Sequence, residues 1–123
     1  MKQFLLIFLG GGFGSFLRYI LSKSLNSYYP NFYLGTFLVN IIGCFLIGLL
    51  IGLSVKNNYL SENHMLLLAT GFCGGFTTFS TFALESHILL KEHSIFYMSM
   101  YLGLSVLTGI LAIAAGLYVC KLL

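Results

Sequence analysis

The sequence predicts an all-α membrane protein with four transmembrane helices, the third of them broken midway. Three observations carry this. Of 123 residues, 59% are hydrophobic and only 7% charged, whereas soluble domains average about 25% charged residues. So short a chain could not hide that much apolar surface from water. The apolar residues also fall into four long runs divided by short polar connections. Finally, the third run contains Gly71-Phe72-Cys73-Gly74-Gly75-Phe76-Thr77-Thr78-Phe79-Ser80-Thr81-Phe82, with three glycines, four hydroxyl residues and four phenylalanines in twelve positions. Each glycine weakens a helix by about 1 kcal/mol relative to alanine, and the hydroxyls can take over freed backbone hydrogen bonds. In a bilayer, irregular backbone persists only where protein or a watery cavity covers it. The stretch therefore reads as a purposeful break at a functional site.

The first span is expected over about residues 3–22. Lys2 followed by Phe4-Leu5-Leu6-Ile7-Phe8-Leu9 resembles the start of a signal peptide, but no small-residue cleavage site follows, so a retained helix is expected. Gly10 and Gly14 form a GxxxG pair that permits close helix packing. The glycine spacing matches neither a dinucleotide nor a P-loop motif. Arg18 stands near the end of this span. It reads either as a headgroup-snorkelling side chain, or as an anion-attracting charge at a pore mouth or an anchor for a neighbouring loop.

A polar connection around Asn26 and Pro30 leads to the second span, about residues 32–55. Gly48 and Gly52 form another GxxxG pair, and Asn40 sits in the middle. A buried amide is costly unless hydrogen-bonded. Asn40 is either interhelical glue or a neutral donor lining a polar pathway. The third span is expected over about residues 63–90, with Ser61 able to cap it. That length exceeds the roughly 20 residues a bilayer needs, as a broken helix would. Glu85 is either buried or at the far interface, and His87 reads as interfacial. The fourth span covers about residues 94–122. It embeds Ser99, Ser105 and Thr108, and its Gly103, Gly109 and Gly116 predict tight contacts.

Four spans place both chain ends and the second connection on one side. Lys2, Lys56 and Lys121 lie there, while Arg18, Lys23 and Lys91 lie on the other. Three cationic residues oppose three, so the positive-inside rule selects no orientation. Such a chain can insert both ways, and two opposed copies can pair about an axis in the membrane plane. A short chain encloses no pathway alone, so an antiparallel, dual-topology homodimer is expected.

Several classes are excluded. No Ser-His-Asp or Cys-His arrangement is present, so no enzyme is expected. Cys44, Cys73 and Cys120 lie in apolar runs and read as packing residues, not as a disulfide framework or metal set. A net charge of +3, thinly spread, excludes nucleic acid as a partner. Glu62, Glu85 and Glu92 are the only acids, and a single one near the interior argues against a proton-driven cation exchanger. What the interior offers is neutral donors: Asn40, Thr77, Thr78, Ser80, Thr81, Ser105 and Thr108. Phe79 and Phe82 share a helix face. Their ring edges suit a small dehydrated anion, their faces a cation, and a plain packing stripe is the ordinary alternative. Carbonyls freed near Gly74 and Thr77 could hold a cation.

The chain resembles the small fluoride channel family, the fluoride exporters also called the camphor-resistance family. The resemblance spans the whole chain. It rests on Gly11-Gly12-Phe13-Gly14-Ser15-Phe16-Leu17-Arg18-Tyr19, on Gly35-Thr36-Phe37-Leu38-Val39-Asn40-Ile41-Ile42-Gly43 and on the Gly71–Phe82 stretch. The family commonly has alanine where Ser15 stands. The resemblance implies a multi-pass protein of the plasma or inner membrane, a dual-topology homodimer with two fluoride pathways and passive export of toxic cytoplasmic fluoride. It implies that Phe79, Phe82 and Asn40 line the pathway with Ser80 and Thr81 beside them, and that Ser105 and Thr108 belong to a polar track. It matches Arg18 to a vestibule arginine and Glu85 to an acid after the break. It implies a structural Na+ held by the backbone carbonyls of Gly74 and Thr77 at the dimer interface. A small multidrug exporter would want an acid in the first helix, and none occurs there. A scaffold would explain the glycines but not the hydroxyl-rich break.

Overall fold

The computed structural model describes residues 1–56 and 60–123. Within them the chain forms α1 (Lys2–Leu25), α2 (Leu34–Val55), α3 (Glu62–Met65), a π-helical segment (Leu66–Cys73), α4 (Gly74–Phe76), α5 (Ser80–Glu92) and α6 (Ile95–Leu122). Taken as spans these make four, each long and apolar enough to cross a membrane, the third being Glu62–Glu92. The protein is thus an all-helical, multi-pass membrane protein with a bent third span. An isolated antiparallel bridge between Tyr29 and Phe32 closes the turn around Pro30. Asn57, Asn58 and Tyr59, in the second connection, lie outside the described residues.

Caps set the starts of two helices. Ser61 accepts the His64 amide at 3.4 Å, and the His64 ring reaches back to the Ser61 amide at 3.4 Å. Ser94 accepts the Tyr97 amide at 3.4 Å at the head of α6. Each cap satisfies backbone donors that the first helical turn leaves open.

The packing is inside out compared with a soluble domain. Large apolar side chains such as Phe4, Phe8, Phe16, Ile110 and Leu111 point outward. The buried residues of α1 are Gly10 and Gly14, and those of α2 are Gly35, Thr36, Val39, Gly43 and Gly48. Lipid is as apolar as leucine, so helices gain most where small residues let backbones approach. The contacts obey this. α1 lies along the π-helical segment and α4, and α2 lies along α6. A Cβ on Gly14 would come within 2.8 Å of the Phe76 amide nitrogen, and one on Gly116 within 2.7 Å of the Leu49 nitrogen. Gly52 receives Cys120, whose Cβ would lie 2.7 Å from an added methyl group. Gly103 departs from expectation: nothing lies within 4 Å of a Cβ there, so it makes no tight contact within the protomer.

The break in the third span falls within the Gly71–Phe82 stretch, in its hydroxyl-rich half. Gly74 and Gly75 are helical, and the chain leaves helix at Thr77, where ψ is 158°. The two glycines serve different ends. A Cβ on Gly75 would run into the backbone of Gly11, whereas one on Gly74 would meet nothing within 4 Å. Gly75 thus lets α1 approach, and the hydroxyl half of the motif makes the interruption. The wide turns of Leu66–Cys73 lie just before it, and such turns commonly mark functional positions.

Candidate ion pathway at the helix break

The break is held by side chains, not by helix bonds. Thr77 ends the incoming helix by donating both its amide, at 3.0 Å, and its hydroxyl, at 2.9 Å, to the Cys73 carbonyl. The Thr78 amide then turns to Asn40 Oδ1 at 2.8 Å, and Asn40 Nδ2 donates to the Thr78 carbonyl at 3.1 Å. The Thr81 amide bonds the Thr78 hydroxyl at 3.3 Å, which caps the outgoing helix. Regular turns resume with the Ala83 amide on the Phe79 carbonyl at 2.8 Å.

These diversions free specific carbonyls. In an unbroken helix the Thr78 and Thr81 amides would bond the carbonyls of Gly74 and Thr77. Here they bond Asn40 and Thr78 instead. The next carbonyl, of Gly75, accepts the Ser15 hydroxyl at 3.3 Å. The carbonyls of Gly74 and Thr77 are therefore released from helix partners, the donor chemistry that hard cations prefer. Among the described residues no group of three or more His, Cys, Asp or Glu could hold a metal ion.

Three cavities meet at the break. One of about 390 Å³ is lined by Asn40, Gly74, Thr77, Phe79 and Phe82 among others. A second, of about 90 Å³, lies between Asn40, Phe82, Ser105 and Val106. A third, of about 270 Å³, holds Arg18 with Ser15, Thr78 and Thr81. Asn40 and Phe82 border the first two, and Thr78 borders the first and third. The phenylalanines differ in setting. Phe82 is 8% exposed and packs on Tyr101 with ring centroids 5.2 Å apart, whereas Phe79 is 80% exposed. Their own rings stand 6.2 Å apart and tilted by 54°.

The profile of the family described as CrcB-like protein, Camphor Resistance (CrcB), matches residues 5–117. The chain belongs to the CrcB family. Its relatives include a protein of Gloeothece citriformis, 47% identical over 98% of each chain, and one of Azobacteroides pseudotrichonymphae, 42% identical over 94% of each. A third, from Phocaeicola vulgatus, is 47% identical over 98% of this chain and all of its own. Each of the three is named a fluoride-specific ion channel.

In this CrcB-family chain the remaining candidates separate clearly. Glu85, for which burial and exposure were both open, is buried at 5% exposure. Its carboxylate accepts from Thr36 at 2.7 Å, from Tyr101 at 2.7 Å and from Asn26 at 3.2 Å. Ser105 Oγ is buried with no hydrogen-bond partner, and it faces the small cavity beside Phe82. Thr108 bonds back to the Leu104 carbonyl at 2.5 Å and lines none of the three cavities. Ser80 is exposed and lies 3.5 Å from the Thr78 hydroxyl.

Three parts of this site carry no sequence signal strong enough to find them. Asn26, in a polar connection, reads as an ordinary turn residue. Tyr101 is one of eight tyrosines, and no local pattern sets it apart from the others. Thr78 counts as one hydroxyl among many, yet it caps the outgoing helix.

Proposed function

We propose that this chain is a fluoride-selective channel that lets cytoplasmic fluoride leave passively, working in the plasma or inner membrane as an antiparallel, dual-topology homodimer. One observation supports this above the rest. Asn40 clamps a break whose outgoing helix begins beside Phe79, Phe82, Ser80 and Thr81, in a chain whose near-full-length relatives are named fluoride-specific ion channels.

The chemistry follows from the donors. Fluoride gives up its water only to several short-range donors. Asn40 Nδ2 has two protons and spends one on the Thr78 carbonyl, leaving one for an ion. The start of α5 adds the partial positive charge of a helix N-terminus. Ring edges of Phe79 and Phe82 and the hydroxyl of Ser105 extend the same lining, with Thr108 further along α6. Arg18 raises anion concentration at the mouth that leads to Thr81. Chloride is larger and fits such narrow sites poorly. An inside-negative potential favours exit by about 2.3 kcal/mol per charge per 100 mV.

A second copy accounts for the open side of the break. Gly74 has no neighbour within 4 Å of a would-be side chain, and three cationic residues oppose three across the membrane. An inverted partner would cover Gly74 and bring a second pair of Gly74 and Thr77 carbonyls to the axis. Their release from helix bonds fits a structural Na+. When bound, that ion would supply positive charge against carbonyl dipoles and tie the copies together.

Reconstitution into liposomes tests the reading. Fluoride loss without chloride loss supports it, and failure of both in dimeric, monodisperse protein counts against it.

A further inference from the structure

Away from the break, a groove runs between the last turns of α2 and α6. It is lined by Ile51, Gly52, Val55, Leu117 and Cys120, together with Lys56 and Lys121 at the ends of the two helices. Its volume is about 410 Å³. Gly52 is what lets the helices meet here, since Cys120 packs where a side chain would otherwise stand. Lys56 Nζ donates to the Cys120 carbonyl at 3.4 Å, laying its stem across the gap between the helices. Lys121 is exposed. No acidic residue lines the groove among the described residues. Glu85 is buried at the other end of the bundle against Asn26 and Thr36, Glu92 ends α5 on the side opposite to both lysines, and Glu62, which begins α3 on the lysines' side, does not line the groove.

We propose that this groove binds an anionic phospholipid, its phosphate on Lys56 and Lys121 and its upper acyl chain against Ile51, Val55 and Leu117. Two cations lining an otherwise apolar trough complement a molecule with an anionic head and an apolar tail. Their position at the ends of two spans puts them at headgroup level, where basic pockets between helices hold such lipids. The apolar walls select a lipid over free phosphate. If the lysines only cap helix carbonyls, as cations at helix C-termini do, the protein will not discriminate among lipid headgroups.

Delipidated full-length protein titrated with phosphatidylglycerol or phosphatidylcholine and observed by native mass spectrometry tests this. The proposal expects phosphatidylglycerol to bind on the order of tenfold tighter, with that preference lost in the Lys56→Gln/Lys121→Gln variant. Lys2→Gln, on the same side but outside the groove, keeps the preference. Equal binding of the two lipids in the parent protein overturns the proposal. So does a loss in Lys2→Gln as large as in the double variant, which would mean only a general surface charge. Displacement of the lipid by inorganic phosphate as effectively as by a short-chain phosphatidylglycerol overturns it as well. If the double variant misfolds, Lys121→Gln alone decides: a several-fold weaker preference supports the site, and an unchanged one overturns it.

Discussion

Asn40 completes both backbone groups of Thr78, accepting from its amide at 2.8 Å and donating to its carbonyl at 3.1 Å. One side chain on α2 thus does for the interrupted span what a neighbouring backbone does for a strand. The amide is an interhelical tie, and the role proposed for it in the pathway does not compete with that one, because one Nδ2 proton is left over.

Replacing Asn40 with leucine should therefore cost the fold as well as the proposed pathway donor. It strands the Thr78 amide and carbonyl, at about 1–3 kcal/mol for each buried group. We expect fluoride efflux from liposomes to fall at least tenfold and the thermal midpoint of the purified protein to drop by several degrees. A midpoint equal to the parent's would show that the pair does not hold the break.

The two adjacent glycines should respond oppositely to alanine. Gly75→Ala drives a methyl group into the Gly11 backbone and should destabilise the protomer by about 1–3 kcal/mol, the usual cost of overpacking. Gly74→Ala meets nothing inside the protomer. It should leave helicity by circular dichroism unchanged while weakening the dimer on size-exclusion chromatography. A dimer unaffected by Gly74→Ala would place the interface elsewhere.

Glu85 accepts three hydrogen bonds, from Thr36, Tyr101 and Asn26. Glu85→Gln puts an NH₂ group where an acceptor is needed, so at least one donor loses its partner. The expected cost is about 1–3 kcal/mol, read as a lower thermal midpoint. A midpoint at or above the parent's would mean that the donors simply reorient.

Removing sodium tests the freed carbonyls of Gly74 and Thr77. Exchange of Na+ for a large organic cation should weaken dimer assembly or slow efflux several-fold, with recovery when Na+ returns. Indifference to the exchange would argue that these carbonyls are satisfied in another way.

Much of this was legible in the residues, and the rest was hidden for physical reasons. Four spans follow from hydropathy because a bilayer enforces length and polarity on each helix. Gly10, Gly14, Gly48 and Gly116 mark helix contacts because only small residues let backbones meet. The Gly71–Phe82 stretch marks the break, but not which residue inside it leaves helix, since a glycine chosen for close approach looks the same as one chosen to loosen a helix. The Asn26, Thr36, Glu85 and Tyr101 cluster joins residues up to 75 positions apart. No local pattern encodes such a meeting. Ser105 and Thr108, alike in sequence, part company in the fold: one faces a cavity beside Phe82 and the other bonds back to its own helix.

The proposed fluoride path runs between Asn40, Phe79 and Phe82. The most direct measurement is fluoride and chloride release from liposomes carrying parent protein or Phe82→Ile, followed with ion-selective electrodes. We expect rapid fluoride release without chloride release in the parent, and a loss of about tenfold or more in Phe82→Ile with the dimer intact. Fluoride release that is equal in the two proteins would contradict it.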